Sequence, residues 1–225
     1  LHYPLRRQRQ MCIRDSTTLA TELNVFAEFQ PRLPPAYRHR PYLLLGNIQP
    51  ALQQQVRAQM EGARLVAGDT MNYWITNTRE GLLETLKGWD LLLVNDSEAR
   101  QLAGCRNLRE AAPRILGLGP KALVVKRGEY GAILFHAGGH FIAPGYLLEE
   151  VFDPTGAGDC FAGGFLGYLA ERGAGAEPGE LRRAMIYGSV MGSFCCERFG
   201  VDRFRDLTRA EIDERYAEFK ACTAF

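Results

Sequence analysis

The sequence lacks the patterns that identify several large classes of nucleotide-binding and metal-binding proteins. It has no G-x-x-x-x-G-K-[ST] and no G-x-G-x-x-G after its first predicted strand, which excludes the P-loop and dinucleotide-binding classes. Its four histidines and six cysteines show no C-x-x-C pair and no spacing typical of zinc. No apolar run approaches the roughly 18 residues of a membrane-spanning helix. We therefore expect neither a zinc site nor a membrane partner.

Excess charge is also missing from this chain. Its 27 Lys and Arg residues against 26 Asp and Glu give a formal net charge of +1, and 46% of the 225 residues are hydrophobic. This balance is typical of a globular protein that buries one core, and it gives no indication of a nucleic-acid partner. The cysteines, at positions 12, 105, 160, 195, 196 and 222, fit reduced thiols better than a disulfide framework. We expect a cytoplasmic protein.

Short apolar runs alternate with helical patterns over most of the chain. The apolar runs predict strands over residues 42–48, 64–67, 90–95 and 122–126, and a hairpin over 131–143. The helical patterns cover residues 51–60, 78–87, 97–102, 108–116, 157–171, 180–198 and 209–220. This alternation predicts an α/β fold, with a mostly parallel sheet that is covered by helices on both faces. Ligands of such sheets bind beyond the carboxyl ends of the strands.

The N-terminal part of the chain does not follow this alternation. Residues 1–16 are rich in arginine, have no sustained apolar period and begin with Leu rather than Met. A transit peptide is one interpretation and an extraneous segment fits better, so we expect residues 1–16 not to pack on the domain. In residues 17–30, apolar residues that include Phe29 are consistent with a strand that started upstream. The prolines of residues 31–41 predict a connector.

A glycine-rich segment, Asp153-Pro154-Thr155-Gly156-Ala157-Gly158-Asp159, precedes an apolar helical pattern, and we call it the glycine turn. Its two glycines let successive backbone N–H groups point at one spot, and a helix N-terminus adds positive potential there. The turn therefore predicts an anion site. Asp159 is the only charged residue from Ala157 to Ala170, in a helix that we expect to be buried all round. It is either an acid favoured by the helix dipole or a general base beside the anion.

The glycine turn, with Ala162-Gly163-Gly164-Phe165 behind it, resembles the C-terminal signature of the PfkB carbohydrate kinases, the ribokinase-like family. The resemblance implies a ribokinase-like three-layer α/β/α fold over residues 17–225, as one kinase domain. It also implies that Gly156, Ala157 and Gly158 form an anion hole, and that Asp159 is the catalytic base. The N-terminal strands and the lid of the family are then largely missing, as in an N-terminally truncated member. We expect weak ATP binding and no turnover from the chain as given.

Polar residues after two further predicted strands match other motifs of this family. Asn95 and Glu98 follow one strand, where by themselves they predict a helix cap. The resemblance implies instead that they help to order Mg²⁺ and the phosphates of ATP. Lys126 and Gly128 follow another strand, in what is otherwise a surface turn. The resemblance implies a phosphate contact through Lys126 and a close approach of the backbone at Gly128.

Weaker candidates lie after the first two predicted strands. Asp69 and Asn72 belong to a stretch that fits a turn with a half-buried Trp74. The same stretch resembles a segment that lies near the phosphoryl acceptor or the phosphates in several sugar kinases. Asn47 is a further candidate on the acceptor side.

The resemblance implies an ATP-dependent kinase that phosphorylates a hydroxyl group of a small molecule, with ATP and Mg²⁺ as cofactors. Thr155 is then a nucleotide contact, and Asp153 matches a position that binds a monovalent cation such as K⁺ in some relatives. A sugar is the first choice of acceptor, and a nucleoside such as adenosine is an alternative. A non-catalytic remnant that binds nucleotide is the rival interpretation outside the enzyme class. A homodimer of the full-length form is a further expectation.

Overall fold

The apolar runs of the sequence assemble into one sheet, in a computed structural model that describes residues 28–224. Its strands are β1 (Tyr42–Leu45), β2 (Leu65–Asp69), β3 (Leu91–Asn95), β4 (Ala122–Lys126), β5 (Ala132–His136) and β6 (Gly139–Ala143). They lie side by side in chain order. β1 to β4 are parallel to one another, β5 is antiparallel to β4, and β6 is antiparallel to β5. Because parallel strands end at the same edge of a sheet, the polar residues that follow β1 to β4 are brought together there.

Helices connect and cover these strands. They are α1 (Pro35–Arg38), α2 (Pro50–Ala58), α3 (Asn72–Asn77), α4 (Arg79–Leu86), α5 (Asp96–Ala103), α6 (Leu108–Leu116), α7 (Ala157–Arg172), α8 (Pro178–Cys195) and α9 (Arg209–Thr223). Two short 3₁₀ helices span Gly128–Tyr130 and Asp202–Arg205. No helix within residues 28–224 combines the length and the apolar character that crossing a membrane requires.

The strand side chains alternate between two cores, one on each face of the sheet. In β3, Leu91 and Leu93 pack with residues of α7, α8 and α9, whereas Leu92 and Val94 pack with residues of α4, α5 and α6. All four are buried, and each such burial contributes roughly 2 kcal/mol to stability. Burial on both faces explains why these strands are continuous apolar runs. The predicted α/β fold, with its mostly parallel sheet and three layers, is confirmed.

Some predicted elements are wrong in detail. β1 ends at Leu45 rather than at residue 48, because the next carbonyl, that of Gly46, accepts a hydrogen bond from the Gln53 side chain instead of continuing the ladder. Residues 72–77 form α3 rather than a turn, and Trp74 is buried and not half-buried. Packing of this indole outweighs the low helix propensity of the surrounding Asn and Thr residues.

The N-terminal predictions concern residues that the structure describes only in part. Those for residues 1–16, and for residues 17–27 of the proposed upstream strand, lie outside the described range. Phe29 is exposed and lies in no strand. The connector predicted over residues 31–41 contains the short helix α1, which Pro35 opens at a position where proline is tolerated.

Candidate active site

A cleft of about 620 Å³ lies at the carboxyl ends of β1 to β4. Its walls are the loop after β1, the ends of β2, β3 and β4, and the first turns of α5 and α7. The lining residues are Gly46, Asn47, Ile48, Asp69, Thr70, Met71, Asn95, Glu98, Lys126 and Asp159. Six of them are candidate site residues from the sequence, so residues from five separate stretches of the chain share one cavity.

Asp159 lies at the third position of α7, where its side chain is exposed to the cleft. The expectation of a helix buried all round is wrong, because α7 also exposes Gly163, Gly167 and Ala170, at helical spacing from Asp159, and buries only its opposite face. Gly156 precedes the helix with a φ of 83°, which residues with a side chain rarely adopt. No described side chain caps this helix end. The Ala157 N–H donates to the Pro154 carbonyl at 3.1 Å, whereas the N–H groups of Gly158 and Asp159, which have no acceptor within the helix, remain available to an anion.

Lys126 brings a positive charge to the glycine turn. Its Nζ lies 3.3 Å from Oδ2 of Asp69, with both side chains largely buried. A Cβ atom added to Gly158 would lie 3.2 Å from the same Nζ, so the ammonium also lies against the turn. Burial raises the pKa of Asp69 above its usual value, and the charge of Lys126 offsets part of this rise. The pair places a partly buried cation between β2 and the start of α7.

Asn95 and Glu98 close the N-terminus of α5 with a capping box. Oδ1 of Asn95 accepts a hydrogen bond from the Glu98 N–H at 2.8 Å, and Oε2 of Glu98 accepts one from the Asn95 N–H at 2.8 Å. The predicted cap is thus confirmed, and both residues also line the cleft. Burial is the main reason that the pKa of Glu98 rises to about 7, and the charge of Asp69 adds to it.

Two residues that sequence reasoning did not connect hold the loop after β1 in place. Nε2 of Gln53 donates to the Gly46 carbonyl at 2.8 Å and to the Asp69 carbonyl at 3.0 Å, which ties the end of β1 to the end of β2. Nε1 of Trp74 donates to Oδ1 of Asn47 at 3.0 Å and fixes the orientation of that amide. Gln53 is 1% exposed. Its sequence gives no sign of this burial, because it lies in an amphipathic helix with several glutamines.

Several predicted site residues do not line the cleft. Asn72 is exposed at the start of α3, and Gly128 lies in the 3₁₀ helix that follows β4. Asp153 and Thr155 lie in the glycine turn, where Oδ1 of Asp153 accepts a hydrogen bond from the Thr155 N–H at 3.0 Å. Gly156 shapes the same turn without lining the cavity.

The cysteines within residues 28–224 are all reduced. Three of them, Cys160, Cys195 and Cys196, lie close to the glycine turn. Burial raises the pKa of Cys160 to about 12 and that of Cys196 to about 11, and it also raises the pKa of Cys195. These thiols stay protonated at neutral pH, which fits packed side chains better than reactive nucleophiles.

Similar proteins are kinases of small molecules. The chain is 28% identical over 181 residues to a cytidine kinase from Thermococcus kodakarensis, which covers 79% of this chain and 58% of that protein. It is 35% identical over 140 residues to a 2-dehydro-3-deoxygluconokinase from Thermoproteus tenax, covering 62% of this chain and 35% of that protein. The chain thus spans little more than half the length of the cytidine kinase and about a third of the gluconokinase.

A solved structure has the same fold. Aminoimidazole riboside kinase from Salmonella enterica, complexed with aminoimidazole riboside and an ATP analogue, superposes with a TM-score of 0.66 at 22% identity, over 81% of this chain and 64% of that chain. The pfkB family carbohydrate kinase model matches residues 28–206, which include the whole cleft and the glycine turn. The chain belongs to the pfkB family of carbohydrate kinases.

Proposed function

We propose that this protein transfers the γ-phosphoryl group of ATP to a hydroxyl group of a small molecule. The observation that carries the proposal is the position of Asp159, whose carboxylate opens to the cleft from the uncapped first turn of α7. A base at that point can take the proton of an acceptor hydroxyl while the adjacent N–H groups meet phosphate charge. Membership of the pfkB family supports this reaction.

Phosphate oxygens would bind where the positive groups of the cleft meet. The first-turn N–H groups of α7 and the helix dipole favour an anion beside Gly158 and Asp159. Lys126 lies against the same turn, and its 3.3 Å distance from Asp69 is longer than the roughly 2.8 Å of a strong charge-assisted hydrogen bond. Lys126 can therefore bind a phosphate oxygen without first losing a tight partner. We assign Thr155 and Gly128 supporting contacts with the nucleotide.

The donor set on the β2 and β3 side of the cleft fits Mg²⁺, which prefers oxygen ligands and keeps several waters. The capping box uses Oε2 of Glu98 and Oδ1 of Asn95, so Oε1 of Glu98 is the oxygen that would hold a magnesium-bound water. When bound, Mg²⁺ neutralises charge on the phosphates. For K⁺ we propose the carboxylate of Asp153, which lies in the glycine turn.

The acceptor would enter from the side of Asn47 and Asp69. The family supports a sugar, and the similarity to a cytidine kinase supports a nucleoside as the second candidate. Asn47 has its Oδ1 occupied by Trp74, so it offers an N–H donor to the acceptor molecule. Asn72 is a second-rank candidate on this side because it does not line the cleft. We further propose a cytoplasmic protein that forms a homodimer in its full-length form.

The test compares ATP binding with acceptor-dependent ADP release. The complete gene product and the 225-residue chain would each be assayed with Mg-ATP and ribose, fructose, cytidine or adenosine. We expect ADP release by the complete product with one acceptor class, and weak ATP binding without turnover by the 225-residue chain. ATP binding without ADP release by the complete product, over a panel extended to other sugars and nucleosides, would instead support a non-catalytic remnant.

A further inference from the structure

We propose that Cys195, at the end of α8, is a positioning residue that holds the glycine turn in its anion-binding shape. Only the expected change in kcat depends on the proposed function; the structural role of Cys195 does not. The turn follows an irregular segment after β6, so the strand ladder does not support it. The end of α8 contacts it at several points.

The main chain at the end of α8 holds the entrance of the turn. The Cys196 carbonyl accepts hydrogen bonds from the Phe152 N–H at 2.8 Å and from the Asp153 N–H at 3.3 Å. One carbonyl therefore fixes two successive residues at the point where the chain enters the glycine turn.

The Cys195 side chain holds the turn further along. Its Sγ donates to the Thr155 carbonyl at 3.4 Å, and a Cβ atom added to Gly156 would lie 3.7 Å from the same sulfur. Since Thr155 and Gly156 precede Gly158 and Asp159 directly, one sulfur holds the start of the segment that we propose to bind the anion. Cys195 is 2% exposed, and burial raises its pKa, which keeps the S–H donor protonated.

The end of α8 is itself held rigidly. Arg215 of α9 lies 3.6 Å from the centre of the Phe194 ring and donates to Oγ of Ser193 at 3.0 Å. Glu197 pairs with Arg215 and with Arg203. The contacted residues, Ser193, Phe194 and Glu197, lie on both sides of Cys195 in the sequence. We therefore expect the end of α8 to stay in place when the Cys195 side chain is changed, so that a change in the turn reflects the lost thiol contact.

Preorganised N–H donors stabilise developing charge only when their direction is fixed before the reaction. Removal of the Cys195 thiol leaves the sequence of the turn intact and takes away the contact that sets its shape. A misplacement of about 1 Å can cost roughly 10²-fold in rate, and we expect a smaller loss from one missing thiol contact. We expect the loss to appear in kcat more than in the KM for ATP.

The experiment compares Cys195→Ala and Cys195→Ser with the unmodified protein. Cys105→Ala is the matched control, because Cys105 also donates to a carbonyl, that of Asn107, but lies outside the cleft. Hydrogen exchange of the amides in residues 152–160 would be measured on the chain without ligand. Steady-state kinetics would use the complete gene product.

For Cys195→Ala we expect faster exchange confined to residues 152–160 and a roughly 10-fold lower kcat. Cys195→Ser, which keeps a donor, should recover part of both effects, and Cys105→Ala should change neither. Unchanged exchange in residues 152–160 would overturn the inference, and so would faster exchange with an unchanged kcat. If the unmodified protein shows no turnover, the proposed function fails, while the exchange measurement still decides whether Cys195 holds the turn.

Discussion

Two helices begin at the cleft, and their N-termini are built in opposite ways. Both carry an acid at the third helical position, Glu98 in α5 and Asp159 in α7. In α5 this acid reaches back to the N-cap residue Asn95 and closes a capping box. In α7 the N-cap residue is Gly156, which has no side chain to offer, and the acid points into the cleft.

The difference shows that an acid at the third position of a helix can either stabilise the helix or stay available to a ligand. A capped end uses its N–H groups and its acid to stabilise the helix, by about 1 kcal/mol for a typical cap. An uncapped end forgoes that stabilisation and keeps the donors and the carboxylate for a ligand. We therefore expect substitutions at α7 to affect catalysis most, and substitutions at α5 to affect stability and magnesium.

The largest effect is expected for Asp159→Asn. This change keeps the shape and removes the base, so kcat of the complete gene product should fall roughly 10²- to 10⁴-fold while the affinity for ATP changes little. Steady-state kinetics and calorimetry would measure the two quantities. Glu171→Gln is the matched control, an exposed acid at the far end of α7 that pairs with Arg209. Near-normal turnover of Asp159→Asn would remove Asp159 from the mechanism.

The next largest effect is expected for Lys126, whose ammonium lies between Asp69 and the glycine turn. Lys126→Met leaves the buried Asp69 without its counter-charge, and the loss of one member of a largely buried pair costs about 3 kcal/mol. Chemical denaturation at pH 8 would measure this loss of unfolding free energy. The double variant Lys126→Met/Asp69→Asn should regain most of it, because no uncompensated carboxylate remains. Equal stability of the single and double variants would contradict a coupled pair.

Glu98 should make stability depend on pH. Its pKa is about 7 in the folded protein against 4.5 as the reference value, so the folded state binds this proton more tightly than the unfolded state. As pH rises from about 4.5 to about 7, the free energy of unfolding should therefore fall by on the order of 2 kcal/mol, because the contribution of the Glu98 proton is lost. Glu98→Gln keeps an acceptor for the cap and should gain stability relative to the unmodified chain between pH 5 and pH 8. A pH-independent difference in melting temperature would refute the assignment.

The smallest effect should come from the residue that leaves α7 uncapped. Gly156→Ala places a side chain at a φ of 83°, a strain of about 1 kcal/mol, although the added Cβ meets Cys195 only at van der Waals distance. Gly163→Ala is the control within the same helix, with open space around its Cβ and an expected gain of up to about 1 kcal/mol. Thermal unfolding of both variants should give shifts of opposite sign, and shifts of the same sign would contradict the conformational requirement at Gly156.

The fold and much of the site could be predicted from sequence for physical reasons. Strands buried on both faces must be continuous apolar runs, and the runs that end at Asn95 and Lys126 marked two strand ends correctly. Parallel pairing then brings the residues at those ends together. The glycine turn was recognisable because its shape depends on a short contiguous segment.

Other features could not be read from the sequence because they depend on tertiary contacts. Gln53 resembles the other polar residues of α2, and only the positions of Gly46 and Asp69 make it a buried tie between two strands. Asp159 lies in an apolar helix, and it is exposed because α7 packs through its opposite face. The place of Trp74 in α3 depends on its packing and on its hydrogen bond to Asn47.

The central claim is that the two helix ends divide the work, with Glu98 acting on magnesium and Asp159 on the acceptor proton. The most direct test is the Mg²⁺ concentration that gives a half-maximal rate of ADP release, measured for the complete gene product and for Glu98→Gln and Asp159→Asn. We predict that Glu98→Gln raises this concentration with less effect on the KM for the acceptor, whereas Asp159→Asn lowers the maximal rate at an unchanged magnesium requirement. An unchanged magnesium requirement in Glu98→Gln would contradict the division and leave Asn95 and Glu98 as a helix cap alone.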